Sequence, residues 1–331
     1  MSPTLAGASL LSVKNWVAVV TGGGTGIGLS TTSPFKSLVP HCRGITHAAK
    51  RHATNRNHWP ANVFMKSKVY ITGRRQEVLE KSASVHGSAD KIGSSGGQIV
   101  PLVMDVTNKD SIKGAVDHIA ENDGYVNVLV NNAGVWTTKP EAGPEDGPEK
   151  FGSSMFDQSI DLWQQAFLVN ATSIYFVTAA FVPLLAKSVS SPIGKMGSVI
   201  NTTSNSGQLR MSEGSQLAYN VSKAASVQMT RQLAFDFSHD NIKIRVNGIA
   251  PGWFPSEMTT GGSDDNNESA SQEDTAFQKE MSDIGARVPP GRMGKSEDLA
   301  SGLLMLATND YIWGMNLVID GGILQSVAGN I

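Results

Sequence analysis

The stretch Val17-Ala18-Val19-Val20-Thr21-Gly22-Gly23-Gly24-Thr25-Gly26-Ile27-Gly28 joins a short apolar run to a glycine-rich turn. Such a run reads as a buried strand, and glycines at its carboxyl end let the backbone approach a pyrophosphate. A helix placed next would offer its N-terminal amides and dipole to the same anion. The stretch therefore predicts the opening of a dinucleotide-binding β-α-β unit. A parallel sheet that binds ligand at its strand ends would follow from it.

Residues 29–66 depart from that pattern. They separate the turn from the next strand by roughly twice what one helix and a short turn require. Pro34, Pro40 and Pro60 oppose a helix interior, and no sustained apolar stripe appears. The segment lacks Asp and Glu but holds Lys36, Arg43, Lys50, Arg51, Arg56 and Lys66. It also holds His41, His47, His52 and His58, whose spacing matches no metal motif, so no metal is expected. A basic insert that grips phosphate is one reading. The simpler one is a stretch foreign to the fold, as a translated non-coding segment would be, that disrupts the first helix.

Beyond residue 66 the alternation of strands and helices resumes. Lys68–Thr72 reads as a second strand ending in Gly73-Arg74-Arg75. An acid there would hold a ribose 2′-hydroxyl, whereas two arginines would pair with a 2′-phosphate, so NADP(H) is expected over NAD(H). A third strand, Gln98–Met104, ends at Asp105-Val106, where the acid can accept a hydrogen bond from an adenine amino group. Val126–Val130 runs into Asn131-Asn132-Ala133-Gly134, and residues 138–152, rich in Pro, Gly and Glu, predict an exposed loop. A helical run from Asp161 to Ala186 carries a polar Asn170 among apolar residues. Gly197–Thr203, Ile242–Val246 and Leu317–Ile319 complete seven strands, and Ala250-Pro251-Gly252 follows the sixth. Seven strands alternating with helices predict an α/β, doubly wound parallel sheet in one domain spanning 1–331. Residues 253–290 make a substrate-loop region, with 258–275 polar enough to predict a mobile flap. Trp253, Phe254, Met258 and Phe277 are its candidate apolar contacts.

Tyr219-Asn220-Val221-Ser222-Lys223 opens a helix, so the phenol of Tyr219 and the ammonium of Lys223 share a face. A free tyrosine titrates near ~10, and a cation within about 4–6 Å favours the phenolate. The pair can act as a tunable acid and base on a ketone or alcohol oxygen.

Composition narrows the setting. The chain has 331 residues, 40% of them hydrophobic, enough for a sizeable core. Its formal net charge of -2 gives no reason to expect nucleic acid or an anionic membrane as partner. One cysteine, Cys42, suits a reducing compartment. No uninterrupted apolar run reaches bilayer length, and the N-terminus lacks the early positive charge of a signal peptide. A cytoplasmic protein is expected.

The series TGGGTGIG, Asp105-Val106, NNAG, Asn170, Ser204, YNVSK, Ala250-Pro251-Gly252 and IDGG resembles the short-chain dehydrogenase/reductase family. The phrasing GIAPGWFPSEMT is similar to fungal members related to 3-oxoacyl-(acyl-carrier-protein) reductases. The resemblance implies catalysis by four residues. Tyr219 would be the general acid, and Lys223 would tune it and hold the nicotinamide ribose. Ser204 would bond the substrate oxygen, and Asn170 would position a water. It places NADP(H) against Thr21, Gly22, Thr25, Gly26, Ile27, Gly28, Arg74, Arg75, Asp105 and Val106. The nicotinamide side would meet Asn132, Ala133, Gly134, Tyr219, Lys223, Pro251, Gly252 and Ser256. A homodimer or homotetramer, paired through helices including 161–186 and 219–237, is also implied, with a small carbonyl or alcohol as substrate. Three departures stand out: Ser206 rivals Ser204, Ser256 (with Thr259 nearby) replaces a Thr, and Trp313 replaces an Asn. The competing reading is a non-catalytic or inactive protein of this fold, its first helix disrupted.

Overall fold

The computed structural model describes residues 11–36, 67–88 and 97–327. Its strands are β1 (Val17–Thr21), β2 (Lys68–Gly73), β3 (Gln98–Val103), β4 (Val128–Asn131), β5 (Ser198–Thr202), β6 (Arg245–Pro251) and β7 (Asn316–Ile319). All pair in parallel, in the order β3-β2-β1-β4-β5-β6-β7. The chain winds from β1 outward to β3, then returns to build the other half from β4. The crevice between β1 and β4 is therefore the switch point where such sheets bind ligands.

Alternation along each strand divides the core into two layers. Ala18, Val20, Val69, Ile71, Val128 and Val130 face one side, under Leu299, Leu303 and Leu306 of helix α10 (Ser296–Thr308). Val17, Val19, Tyr70, Leu129, Val199 and Val246 face the other. There they meet α3 (Lys109–Asn122), α6 (Ser173–Ala186) and α7 (Leu217–Asp236) through Ile119, Phe181 and Leu233. The remaining helices are α1 (Gly26–Lys36), α2 (Gln76–His86), α4 (Pro148–Phe156), α5 (Ile160–Phe167), α8 (Glu257–Thr260), α9 (Asp274–Asp283) and α11 (Ile323–Ser326).

The structure corrects several expectations. The first helix is present: α1 starts at Gly26 and runs three turns through position 34 to Lys36. Packing on α10 holds it, with Ser30 Oγ 3.0 Å from Ser296 Oγ. Residues 37–66, with the four histidines, lie outside the described residues. The sixth strand sits later than its apolar run, at Arg245–Pro251, and is buried along its whole length. Arg245 can occupy a central strand because its guanidinium donates to the carbonyls of Leu306 and Ala307 at the end of α10. The loop expected at 138–152 contains helix from Pro148, a residue suited to a first helical position.

The expected mobile flap is pinned to α2. Asn267 Nδ2 donates to Val78 O at 3.1 Å and to Ser82 Oγ at 2.7 Å, and Ser82 Oγ donates to Gly24 O at 2.6 Å. Phe254 and Phe277, two of the candidate substrate contacts, are core residues. Among the described residues one helical run, Ile160–Ser190, is long and apolar enough to cross a membrane. Asn170, Ser173 and Thr178 interrupt its apolar residues, so no unbroken apolar run marks it in the sequence. In the fold its inner side, including Ile174, Val177 and Phe181, is buried in the core.

Candidate active site

The cleft at the switch point begins with main-chain geometry. Gly22 has φ +63, and a Cβ there would lie 3.0 Å from Ala133 Cα. At Gly28 a Cβ would lie 2.0 Å from Gly22 O and 2.5 Å from Asn132 Nδ2. Glycine at these positions lets the turn double back and the first amides of α1 face the cleft. Thr21 fixes the opposite wall: its Oγ1 accepts from the amides of Asn132 (2.9 Å) and Ala133 (3.0 Å). Asn132 Nδ2 returns a bond to Thr21 O at 3.0 Å.

Nearly every residue expected at a cofactor lines this one cleft: Gly22, Thr25, Gly26, Ile27, Gly28, Arg74, Arg75, Asp105, Val106, Asn132, Ala133, Gly134, Tyr219, Lys223, Pro251, Gly252 and Ser256. Thr21 stands behind it as the anchor just described. Asp105 is held below the usual carboxylate range. Burial alone would raise it, but hydrogen bonds from the Thr107 amide and hydroxyl and the Arg74 charge outweigh burial. Both Thr107 bonds go to Oδ1, so that oxygen is already engaged. Arg75 is also engaged, pairing with Glu257 of α8 at 3.1 Å across the cleft. Ser256 caps α8, accepting from the Thr259 amide at 3.2 Å. Trp313 donates from Nε1 to Ala234 O at 2.8 Å, tying the loop before β7 to α7.

The reactive corner is made by α7 and the end of β5. Ser204, not Ser206, is hydrogen-bonded to the Tyr219 phenol. Helical spacing brings Lys223 beside it, with Nζ 5.8 Å from the ring centroid and donating to Thr202 O at 3.0 Å. Burial pushes the phenol up to about 12; the Ser204 bond opposes the rise and the Glu213 carboxylate adds to it. Burial pulls the Lys223 ammonium down to about 8. The expectation that Lys223 would lower the phenol is therefore not met in the protein alone. Desolvation of the phenolate exceeds what a cation turned toward Thr202 returns.

Asn170 does not line the cleft. It is fully buried (0%) in a π-helical turn, Leu168–Thr172, between α5 and α6. Its Oδ1 accepts from Val135 N at 2.8 Å, and its Nδ2 donates to Val135 O (2.8 Å) and Ser222 Oγ (2.9 Å). The side chain clamps the segment that follows β4 to α7, leaving it no spare donor for a water. Met258, one of the candidate apolar contacts, lines the cleft, and Gln165 and Val169 line it too but were missed. Gln165 and Val169 lie four apart, a spacing that places them on one helical face, but only the fold shows where that face points.

Comparison with known proteins identifies the family. The family model described as Enoyl-(Acyl carrier protein) reductase matches residues 68–324. Short-chain dehydrogenase/reductase PhomF' of Diaporthe leptostromiformis is 35% identical over 340 aligned positions, covering 98% of this chain and 97% of the relative. The 3-oxoacyl-[acyl-carrier-protein] reductase FabG of Thermotoga maritima is 29% identical, covering 69% and 78%. Among solved structures, the Pseudomonas aeruginosa RhlG/NADP active-site complex superimposes with a TM-score of 0.67 at 26% identity, covering 95% of this chain and 98% of that one. The chain belongs to the short-chain dehydrogenase/reductase family. It is an oxidoreductase of the kind that acts on CH–OH and C=O groups.

Proposed function

We propose that the protein interconverts a ketone or 3-oxoacyl group and a secondary alcohol, using NADP(H), with Tyr219 as acid and base. The observation that carries this reading is the placement of Tyr219, Ser204 and buried Lys223, its Nζ 5.8 Å from the Tyr219 ring centroid, in the same cleft as the glycine turn. The residues suit the cofactor. Glycines leave room for a pyrophosphate, and the buried hydroxyls of Thr72 and Thr202, both in the cleft wall, have no partner among the described residues. When bound, the nicotinamide supplies or accepts the hydride. Arg74 and Arg75 support NADP(H) over NAD(H), because guanidinium groups match a 2′-phosphate. The NADP complex of the RhlG relative points the same way.

The protein's own residues then do three things. Ser204 and Tyr219 orient the substrate oxygen between two hydroxyls. The Lys223 ammonium favours negative charge developing there. The Tyr219 phenol gives up its proton as the alkoxide forms. A phenol at about 12 remains a stronger acid than water at ~15.7, and so than a simple alkoxide's parent, which keeps that transfer downhill. Asn170 acts as a positioning residue, holding α7 against Val135. The competing reading, an inactive protein with a broken first helix, loses its premise because α1 is formed where the cleft needs it.

We also read the single cysteine as fitting the cytoplasm. Exposed Phe156, Ile160, Leu168, Tyr175 and Phe235 suit a face for self-association, which light scattering would test. The test of function is turnover of a ketone panel with NADPH, followed by nicotinamide absorbance. Tyr219→Phe should lose about 10²–10⁴-fold in kcat while binding NADPH normally. A variant that keeps near-normal turnover would remove Tyr219 from the role.

A further inference from the structure

Glu213 is an acid that the reaction as described does not use, and it lies beside the reacting pair. It sits in the loop between β5 and α7, where the backbone takes a rare course. Glu213, Gly214 and Ser215 have φ of 48°, 78° and 64°, so two side-chain-bearing residues occupy the left-handed region. Hydrogen bonds hold the loop in that shape. The Ser215 amide donates to Ser212 Oγ at 3.2 Å, and the Gln216 amide to Ser212 O at 3.1 Å.

The conformation sets the Glu213 carboxyl between two partners. Gln216 Nε2 donates to Oε2 at 2.8 Å, and Ser206 is hydrogen-bonded to the carboxyl. Gln216 is itself fixed by Trp136, whose Nε1 donates to Gln216 Oε1 at 3.0 Å. The Ser206 amide donates to Ser204 Oγ at 3.1 Å, and Ser204 is hydrogen-bonded to Tyr219. Ser206 thus ties the two together: its side chain meets the Glu213 carboxyl and its amide holds Ser204 Oγ, which lies beside the Tyr219 phenol.

We propose that Glu213 is a positioning residue for proton transfer: through Ser206 its carboxyl orients the Ser204–Tyr219 pair, and its charge keeps the transferable proton on the Tyr219 oxygen. The inference rests on the proposed role of Tyr219. Strained backbone is retained where surrounding contacts over-determine it, and such residues concentrate at functional sites. Burial raises the Glu213 carboxyl against the opposing bonds from Ser206 and Gln216, and the carboxylate in turn opposes ionisation of Tyr219. The other charged groups around the loop are Lys223 on α7, Lys139 after β4, whose Nζ lies 4.0 Å from where a Gly214 Cβ would be, and Arg210 on the loop itself.

The experiment compares the wild-type chain with Glu213→Gln, which keeps the shape and removes the charge, and with Glu213→Ala. One readout is the acidic limb of kcat/KM for oxidation of 1-phenylethanol by NADP. Glu213→Gln should move that limb to lower pH by about half a unit or more, and Glu213→Ala should in addition lose kcat. The second readout needs no turnover. It is the phenolate absorbance of each protein minus that of its Tyr219→Phe counterpart, followed up to the pH where the circular dichroism changes. Phenolate should appear at lower pH in Glu213→Gln. An unmoved limb with an unmoved phenolate titration overturns the role of Glu213 and leaves the proposed function standing. Absence of wild-type turnover sinks that function instead, and the phenolate titration alone then decides for or against Glu213.

Discussion

Two helices start beyond the strands on either side of β4, α1 after β1 and α7 after β5, and build the two halves of the cleft by different means. α1 contributes main chain: its first turn begins at Gly26, and glycines at 22 and 28 let that turn close on residues 132–133. α7 contributes side chains: Tyr219, Ser222 and Lys223 lie within its first two turns, each with a named partner. A main-chain site depends on the backbone shape of a few residues and tolerates an unusual sequence further along. A side-chain site depends on helical phase and on burial. That difference explains why the odd composition after residue 28 leaves the opening of α1 intact.

The sharpest way to break the main-chain half is Gly28→Ala, whose Cβ would meet Gly22 O at 2.0 Å. NADPH affinity should fall more than about 100-fold, a loss of over ~2.7 kcal/mol, with the far-ultraviolet circular dichroism preserved. Calorimetric titration checks it, and unchanged affinity would show that the turn can open freely. In the side-chain half, Asn170→Ala leaves the Val135 amide and carbonyl unpaired. It should lower stability by about 1–3 kcal/mol and turnover about 10-fold or more. Thermal melts and steady-state kinetics together separate this from a purely structural effect, which would spare kcat in the folded fraction.

Arg74 and Arg75 sharpen the comparison, because they are the cleft's side-chain contribution on the α1 side. Arg75 already has Glu257 as partner, and both groups are partly exposed. Arg74→Ala should weaken NADPH about tenfold and Arg75→Ala only a few-fold, with NADH affinity nearly constant for both. Equal losses would show that Arg75 leaves Glu257 to meet the phosphate.

The smallest effect expected is on stability, from Lys223→Met. The folded protein holds Lys223 at about 8, against an ordinary 10.5, because burial penalises its charge. The penalty is fully present below about 8. Between those values the unfolded chain binds the proton that the folded chain has released, so stability rises with pH across the window. Lys223→Met should therefore be more stable than wild type at neutral pH, by about 1 kcal/mol after the Thr202 carbonyl loses its donor. That advantage should fade as the pH climbs past about 8 toward 10.5, which denaturant titrations at several pH values would show.

Most of the fold was legible because six strands are apolar runs that end at glycine, acid, asparagine or, for the fifth, serine. The sixth was misplaced, since Arg245, Asn247 and Gly248 do not look like a central strand. What admits Arg245 is a set of carbonyls sixty residues later, at the end of α10. The site's backbone was equally visible, as glycine spacing and the Tyr219–Lys223 interval each carry a geometric meaning. Burial was not. The raised Tyr219 phenol, the inward Asn170 and the buried Phe254 and Phe277 all follow from packing that a linear pattern does not encode. The pinned segment around Asn267 was missed for the same reason: its polar composition suggests a mobile flap, yet its hydrogen bonds go to α2.

Whether residues 21–28 form a working cofactor cradle, whatever follows Lys36, is measured most directly by calorimetric titration of the full 331-residue chain with NADPH and with NADH. NADPH should bind at micromolar or tighter affinity and NADH at least about tenfold more weakly. A folded chain that binds neither would contradict that expectation.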